Sequence, residues 1–206
     1  MDKKILFRIL QVTVGLVLLI VCVLFASGIN PFSLKGVTKI PTIVSIVVLF
    51  WGFYFSIGWK WPYLRKLVYK ENLNGTWFGT YTSRNFITNE VFKDQIAVVI
   101  RQSFVMLNVK SHTANYINHS YGETLNYDTN SDTHQLIYLY SQSIFKPVDD
   151  NARKGTSELQ LNYNCDKEEL YGNFWTNHNS KGFLNLTKIT KTQVKSFNEA
   201  LKHLNN

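Results

Sequence analysis

Two long apolar segments stand at the start of the chain, and a polar region with short alternating runs follows them. Residues 5–26 (ILFRILQVTVGLVLLIVCVLFA) would form a helix about 33 Å long, which is enough to span a bilayer. A cleaved signal peptide is the alternative reading of this first segment. The apolar stretch is long for a signal peptide, and SGINPF is a poor cleavage site, so we predict a retained helix.

The second segment, residues 41–59 (PTIVSIVVLFWGFYFSIGW), follows a connector that Asn30-Pro31 and Gly36 mark as a turn. It ends near Trp59 and Trp61, which are typical of an interfacial aromatic belt. Both segments are apolar on every face, and this favours two transmembrane helices over a buried soluble hairpin.

Small residues recur along the second segment at Ser45, Gly52 and Ser56. Small side chains at helical spacing let two helices approach closely in a membrane. They predict either packing of the two helices within one chain or self-association between chains.

From residue 72 onward, alternation of apolar and polar residues predicts short strands, most clearly in residues 157–163 and 182–187. Eight successive strands without crossover helices predict an up-and-down antiparallel β-barrel, with a β-sandwich as the main alternative. Residues 190–204 have apolar positions at helical spacing and predict a C-terminal helix against the barrel. The predicted strands are 76–83, 91–101, 104–111, 115–127, 135–144, 156–163, 169–176 and 182–189.

We therefore predict a membrane-anchored all-β protein with three parts. Residues 1–62 form a two-helix transmembrane anchor, residues 63–71 a juxtamembrane linker, and residues 72–206 a cytosolic β-barrel that binds a ligand. Eight strands enclose a lumen that side chains or one small ligand can fill.

The net charge of +8 is concentrated beside the apolar segments. Residues 1–70 carry nine basic residues against one acidic residue, whereas residues 71–206 carry thirteen of each. This distribution indicates topology signals and contact with anionic membrane lipids, and it argues against a surface for duplex nucleic acid.

The basic residues also predict the orientation of the anchor. The connector between the two segments has only two of them, and more lie at the N-terminus and after the second segment. The positive-inside rule then places both termini in the cytoplasm of a multi-pass inner-membrane protein. The flanking bases are Lys3, Lys4 and Arg8 at the N-terminus, and Lys60, Arg65, Lys66 and Lys70 at the exit.

No catalytic constellation is found in the sequence. There is no nucleophile elbow, no zinc-protease motif, no Cys-x-x-Cys and no phosphate-binding glycine-rich loop. The five histidines are scattered in or near predicted loops. We expect a protein that is not an enzyme and that needs no metal or other cofactor.

The first predicted strand, Gly75-Thr-Trp-Phe-Gly-Thr-Tyr81, places Trp77, Gly79 and Tyr81 on one face. We expect Trp77 to close one end of the barrel and Gly79 to leave space above it. This Gly-x-Trp arrangement resembles the lipocalin family. Further aromatic residues, such as Tyr138 and Trp175, suit stacking on a planar ligand, although they would serve equally well in a core without a ligand.

The whole layout resembles one known family. Two N-terminal transmembrane helices and a barrel within 206 residues, with Trp59-Lys-Trp-Pro62 followed by Asn74-Gly-Thr-Trp-Phe-Gly79, are similar to the two-transmembrane β-barrel effectors of bacterial cyclic-oligonucleotide-based antiphage signalling systems, which are CD-NTase-associated membrane proteins. The resemblance implies that the barrel binds a cyclic dinucleotide made by a partner nucleotidyltransferase. Binding would drive oligomerisation, and the helices would then disrupt the inner membrane and cause abortive infection.

A doubly anionic ligand in a barrel domain without net charge needs local bases, so this resemblance directs attention to arginine. We predict six ligand-binding residues: Tyr81, Arg84, Arg101, Tyr138, Asn173 and Trp175. Three alternatives remain open at this point: a membrane-tethered, lipocalin-like carrier of lipids or fatty acids, an adaptor whose barrel docks another protein, and a hydrolase without a recognisable motif.

Overall fold

A computed structural model describes residues 3–30, 33–68, 70–128, 133–143, 153–164 and 167–204. The chain divides into two compact units. One comprises residues 1–72 and 103–105, and the other comprises residues 73–102 and 106–206.

Two long apolar helices, eight strands in a closed antiparallel barrel and a C-terminal helix confirm the predicted fold class. The helices are α1 (Lys3–Ala26), α2 (Leu34–Val37), α3 (Ile40–Ser56), α4 (Pro62–Arg65) and α5 (Phe197–Leu204). The strands are β1 (Gly75–Asn85), β2 (Val91–Gln102), β3 (Leu107–His112), β4 (Ile117–Asp128), β5 (Thr133–Ser143), β6 (Lys154–Asn164), β7 (Lys167–Thr176) and β8 (Ser180–Thr190).

The first unit, which we call the anchor unit, is built on α1 and α3. Residues 5–26 and 34–56 are each long and apolar enough to cross a membrane, and almost none of their side chains are buried within the chain itself. Apolar helices that are exposed on most sides need a non-aqueous surrounding, as a membrane anchor has. The indole N–H of Trp51 donates a hydrogen bond of 3.0 Å to Thr13 Oγ1 and joins α3 to α1.

The end of α3 differs from the expectation. The helix ends at Ser56, because Ile57 leaves helical geometry with φ −131°, and a 3₁₀ turn over Gly58–Lys60 follows. Trp59 is fully buried with Tyr54 and Val68. Its predicted place in an aromatic belt is therefore wrong, whereas Trp61 is exposed as such a belt requires.

The described part of the predicted linker, residues 63–68 and 70–71, belongs to the anchor unit. Val68 is buried there, and Arg65 forms an ion pair of 3.5 Å with Glu71. Phe104 was predicted to begin the third strand, but it lies in the turn before β3 and packs in the anchor unit, with its ring centroid 4.7 Å from that of Phe55. Its aromatic contacts are nonlocal in sequence, so strand alternation does not reveal them.

The second unit is the barrel. Each strand pairs antiparallel with the next, and β8 pairs with β1, with Tyr81 opposite both Asp94 of β2 and Leu184 of β8. This closure excludes the β-sandwich. All eight predicted strands are found at shifted boundaries, and the predicted last residue of the fifth, Ile144, lies outside the described residues.

One end of the lumen, where β1 begins, is filled by apolar side chains, and we call it the Trp77 end. Trp77 is fully buried, and its indole N–H donates to the Leu73 carbonyl at 3.0 Å. The ammonium of Lys188 lies 5.2 Å from the Trp77 ring centroid and 2.6 Å from Glu168 Oε2. The prediction that Trp77 closes one end is confirmed. Buried aliphatic residues around it include Val98, Ile100, Leu136, Leu159, Leu170 and Leu186.

Asn74 fixes the start of β1 to the end of β2. Its side-chain amide donates to the Gln102 carbonyl at 2.8 Å, and its Oδ1 accepts from the Gln102 N–H at 2.7 Å. The Gln102 side chain in turn accepts from the Leu73 N–H at 2.7 Å. We call these three hydrogen bonds the clasp. They join the chain just before β1 to the last residue of β2.

Gly79 has a different role from the one predicted. A Cβ at this position would collide with the backbone carbonyl of Asn185 on β8. The missing side chain therefore allows the backbones of β1 and β8 to approach each other closely.

The C-terminal helix begins later than predicted. Residue 190 still belongs to β8, and the stretch before α5 is held by Thr76, whose Oγ1 donates to the Thr192 carbonyl at 2.7 Å and accepts from the Val194 N–H at 3.2 Å. The hydroxyl of Ser196 then accepts from the Glu199 N–H at 3.2 Å and caps α5. Val194 and α5 pack on the outer face of the barrel against Phe78, Ala97 and Val99.

Candidate functional site

The other end of the lumen, where β1 ends, is lined by aromatic and polar side chains, and we call it the Tyr81 end. Tyr81, Tyr138, Tyr140 and Phe174 face the lumen and pack on the apolar cluster of the Trp77 end. Alternation and strand pairing direct further polar residues to the same face: Ser83, Asp94, Ser111, Asn118, Glu123, Gln142, Ser157 and Thr176.

The aromatic rings of this end form two neighbouring pairs. The ring of Tyr81 meets Phe174 edge to face with centroids 6.2 Å apart, and the rings of Tyr138 and Tyr140 lie 6.0 Å apart. The Tyr140 ring lies against Gly155, where the Cβ of any other residue would collide with the ring. Of these four rings, those of Tyr138 and Phe174 are buried in the core cluster, and those of Tyr81 and Tyr140 are partly buried.

Hydrogen bonds hold the polar residues of this end in place. The amide of Asn118 donates to Ser111 Oγ at 3.0 Å, and Ser120 donates to the carboxylate of Glu123. Ser120 also accepts from the Val109 N–H at 2.8 Å. A register shift between Ser120 and Gly122 allows β4 to make these bonds and still pair with β5.

The tyrosine hydroxyls stay protonated at physiological pH. Burial raises the pKa of Tyr138 to about 12, and a side-chain hydrogen bond with Ser157 opposes part of this shift. Burial, followed by the neighbouring Tyr138, raises the pKa of Tyr140. Burial and the Asp94 carboxylate raise the pKa of Tyr81. A neutral phenol can donate a hydrogen bond, so this end presents donors.

Arg153, an exposed residue just before β6, contributes positive charge to this end. Its guanidinium acts against the upward pKa shifts of both Tyr81 and Tyr140, and its backbone carbonyl accepts from the Gln142 N–H at 2.8 Å. Sequence reasoning missed Arg153 because it precedes β6 instead of lying within a predicted strand. Tyr140 could have been found, since alternation from Tyr138 places it on the same face.

Aromatic walls, neutral hydroxyl donors and one guanidinium together suit a flat, heteroaromatic, anionic molecule. Among the described residues, no group of three or more His, Cys, Asp or Glu side chains could hold a metal ion.

A model of the Cap15 cyclic dinucleotide receptor domain matches residues 70–188, which is more than half of the chain. The chain belongs to the Cap15 family. The match runs from just before β1 into β8, so the barrel is the cyclic dinucleotide receptor domain and the protein is a cyclic-nucleotide-sensing effector. Together with the closed barrel and two apolar helices, it confirms the resemblance to the barrel effectors of antiphage signalling. A search of curated proteins finds no match.

The six predicted ligand-binding residues of this Cap15 protein fall into two sets. Tyr81 and Tyr138 face the lumen at the Tyr81 end. The remaining four lie on the outer face of the barrel and are exposed: Arg84, Arg101, Asn173 and Trp175. Each of them neighbours an inward residue, so alternation directs its side chain outward.

The outer four are therefore not brought together with the tyrosines. The Arg84 guanidinium donates to Asn89 Oδ1 at 3.0 Å near the β1–β2 turn, and Asn173 and Trp175 flank the inward Phe174. They were chosen for chemistry without knowledge of their facing, and contact of any of the six with ligand stays a prediction.

The small residues of α3 are exposed along the helix. The hydroxyls of Ser45 and Ser56 donate to the carbonyls of Pro41 and Gly52, at 2.8 Å and 2.7 Å. Apart from the chain neighbours and the backbone of α3 itself, no atom lies within 4 Å of a Cβ built at Gly52. The link to α1 uses Trp51 instead. Packing within the hairpin and self-association both stay predictions for these residues.

Proposed function

We propose that this Cap15 protein is a non-enzymatic effector of antiphage defence that binds a cyclic dinucleotide at the Tyr81 end of its barrel. It is anchored in the bacterial inner membrane with both termini in the cytoplasm. Ligand binding promotes oligomerisation, and the transmembrane helices then disrupt the membrane, so that the infected cell undergoes abortive infection. The match to the receptor domain carries this proposal.

The composition of the Tyr81 end supports the binding step. A cyclic dinucleotide offers two planar bases and two phosphodiester anions. Tyr81 and Tyr140 supply ring faces and hydroxyl donors, and Arg153 supplies a charge-assisted donor for a phosphodiester. The Trp77 end is filled by its own apolar side chains, which supports binding at the other end of the lumen.

The same observations weigh against the other functions considered. A carrier of lipids or fatty acids needs a long apolar cavity with few polar groups, whereas the apolar part of this lumen is packed. A docking adaptor needs no aromatic and hydroxyl lining within the lumen. Neither function accounts for a match to a cyclic dinucleotide receptor domain.

Assembly follows only if the ligand binds the assembled state more tightly than the single chain. A shift of the population from 1:99 to 99:1 requires a preference of about 5.5 kcal/mol. When several ligand-occupied barrels assemble together, the preferences of their ligands for the assembled state add up, so the preference at each barrel can be smaller than this value. The exposed Ser45, Gly52 and Ser56 face of α3 offers one surface for such assembly within the membrane.

The binding step is tested with the full chain in detergent and a panel of cyclic dinucleotides, linear dinucleotides and fatty acids. A ligand at a hundred times its dissociation constant should stabilise the protein by about 2.7 kcal/mol, which thermal unfolding detects. We expect at least one cyclic dinucleotide to stabilise the protein, and no linear dinucleotide or fatty acid to do so. Stabilisation by fatty acids alone would contradict the proposal.

The membrane step is tested in vesicles that contain the full chain and a trapped dye. We expect the effective cyclic dinucleotide to release the dye and to increase the size of the protein assembly in cross-linking. A ligand that binds without dye release or assembly would separate sensing from membrane disruption and refute the second half of the proposal.

A further inference from the structure

A second concave surface lies on the outside of the barrel, and we call it the outer groove. It has a volume of about 230 Å³ and lies entirely in the barrel unit. Its lining comes from β2, β3, β4 and the segment before α5: Val99, Arg101, Asn108, Lys110, His119, Val194 and Lys195.

Strand pairing fixes the walls of the outer groove. Lys110 pairs with Val99 on one side and with His119 on the other, and Arg101 pairs with Asn108. Neighbouring strands lie about 4.8 Å apart, so these side chains stand in adjacent rows on one face. The two bonds to Thr76 hold Val194 and the adjoining Lys195 on the remaining side. The groove is thus built on regular strands and a tied segment.

Three cations meet in this small space. In the part of the chain that the structure describes, Arg101, Lys110 and Lys195 form no ion pair. Glu199, the acidic residue in the first turn of α5, accepts a hydrogen bond from the backbone N–H of Lys195 at 2.7 Å through its carboxylate. Lys110 also contributes to the lowered pKa of His119, after burial, so positive charge acts across this face.

We propose that the outer groove binds a phosphate ester, at a site separate from the lumen. A guanidinium binds phosphate oxygens in a bidentate manner, two ammonium groups add charge, and Asn108 adds an amide donor. The volume is below the range of about 300–1,000 Å³ for sites of drug-sized ligands, so it suits one phosphate group with a short substituent. The phosphate ester comes from a soluble metabolite or from an anionic lipid headgroup.

Lysine acetylation of the full chain, followed by mass spectrometry, tests this site and its source. One arm uses detergent with glycerol phosphate, against sodium chloride at equal ionic strength. The other arm uses nanodiscs of phosphatidylcholine alone or with phosphatidylglycerol. Lys110 and Lys195 report on the groove, and the exposed Lys181 on β8 is the internal control. At ten times the dissociation constant, we expect about tenfold slower acetylation of the two groove lysines.

The arms separate the two sources. Protection by glycerol phosphate indicates a soluble ester, and protection only in nanodiscs with phosphatidylglycerol indicates a lipid headgroup. No protection in either arm, or equal protection by sodium chloride, would overturn the proposal.

Two variants complete the test. Arg101→Gln should weaken the affinity about tenfold or more, because it removes a charge-assisted contact, so the protection of Lys110 and Lys195 should fall to about twofold or less. Lys181→Gln removes one charge elsewhere on the barrel and should leave the protection unchanged. If the cyclic dinucleotide itself protects the groove lysines, and Arg101→Gln weakens its binding, the separate site is refuted while the receptor function stands.

Discussion

At the Trp77 end of the barrel the inward side chains are mainly aliphatic and closely packed, whereas at the Tyr81 end they are aromatic, hydroxyl and amide groups. The same strands supply both ends, so each strand changes its inward chemistry along its length. In β5, for example, Leu136 is followed on the same face by Tyr138, Tyr140 and Gln142.

This difference separates stability from recognition within one sheet. Burial of large apolar groups at the Trp77 end stabilises the folded barrel. The Tyr81 end holds polar groups whose burial costs free energy unless they are hydrogen-bonded, and such groups are what a polar ligand needs. Variants at the two ends should therefore affect different measurements.

Trp77→Ala should have the largest effect on stability, a loss of about 3–5 kcal/mol, because it removes a fully buried indole and leaves a cavity. Chemical unfolding of the full chain in detergent, followed by circular dichroism, measures the loss. Trp175→Ala is the matched control, since its ring is 43% exposed on the outer face. An equal loss in the control would remove the distinction between the lumen and the outer face.

Alkaline pH should weaken the Tyr81 end specifically. The pKa of Tyr138 is about 12 in the folded chain against 10.0 for the free phenol, so the folded state keeps a proton that the unfolded state loses. The contribution of the neutral Tyr138 to stability is fully present below pH 10. As the pH rises from 10 to about 12 it is lost, and the free energy of unfolding falls by about 2–3 kcal/mol.

Unfolding free energies measured from pH 9 to pH 12 test this loss. Tyr138→Phe should reduce the loss, whereas Tyr121→Phe, at an exposed position on β4, should leave it unchanged. The same pH dependence in all three proteins would show that Tyr138 is not the titrating group.

Arg153→Gln should weaken cyclic dinucleotide binding by about 2 kcal/mol, or about thirtyfold, because it removes a charge-assisted hydrogen bond to a phosphodiester. Calorimetry on the full chain measures the dissociation constant. Arg84→Gln is the matched variant, since its guanidinium lies outside and bonds to Asn89. A larger loss with Arg84→Gln would place the ligand on the outer face and revive the assignment made from sequence.

Tyr138→Phe at neutral pH should have the smallest effect, about 1 kcal/mol of stability, because Ser157 loses its hydrogen-bond partner. A double-mutant cycle with Ser157→Ala measures this interaction. We expect the second substitution to cost much less once the phenol hydroxyl is gone. Additive losses would show that the two hydroxyls do not interact.

The sequence was sufficient for the order of the elements and for the facing of β1. Strict alternation placed Trp77 and Tyr81 on one face, and the absence of crossover helices indicated a meander. The candidate site was harder, because the strands carry polar residues on both faces. Chemistry alone then could not tell the inward Tyr138 from the outward Asn173 or Trp175.

Long-range contacts explain the remaining differences. Phe104 reads as the start of a strand, but it is held by aromatic residues of the anchor unit. Residues 191–196 continue a helical pattern in the sequence. Residues 192 and 194 are nevertheless kept out of the helix by hydrogen bonds with Thr76, which lies more than a hundred residues earlier. Neither partner can be identified by local periodicity.

The clasp of Leu73, Asn74 and Gln102 has a mechanical consequence. Because β1 is bonded along both edges, a force directed along β1 from the chain ahead of Leu73 loads these three bonds and two hydrogen-bond ladders in shear. Shear divides the force among many bonds at once, whereas peeling breaks them one after another. The receptor domain is thus attached at a point where pulling does not readily unravel it.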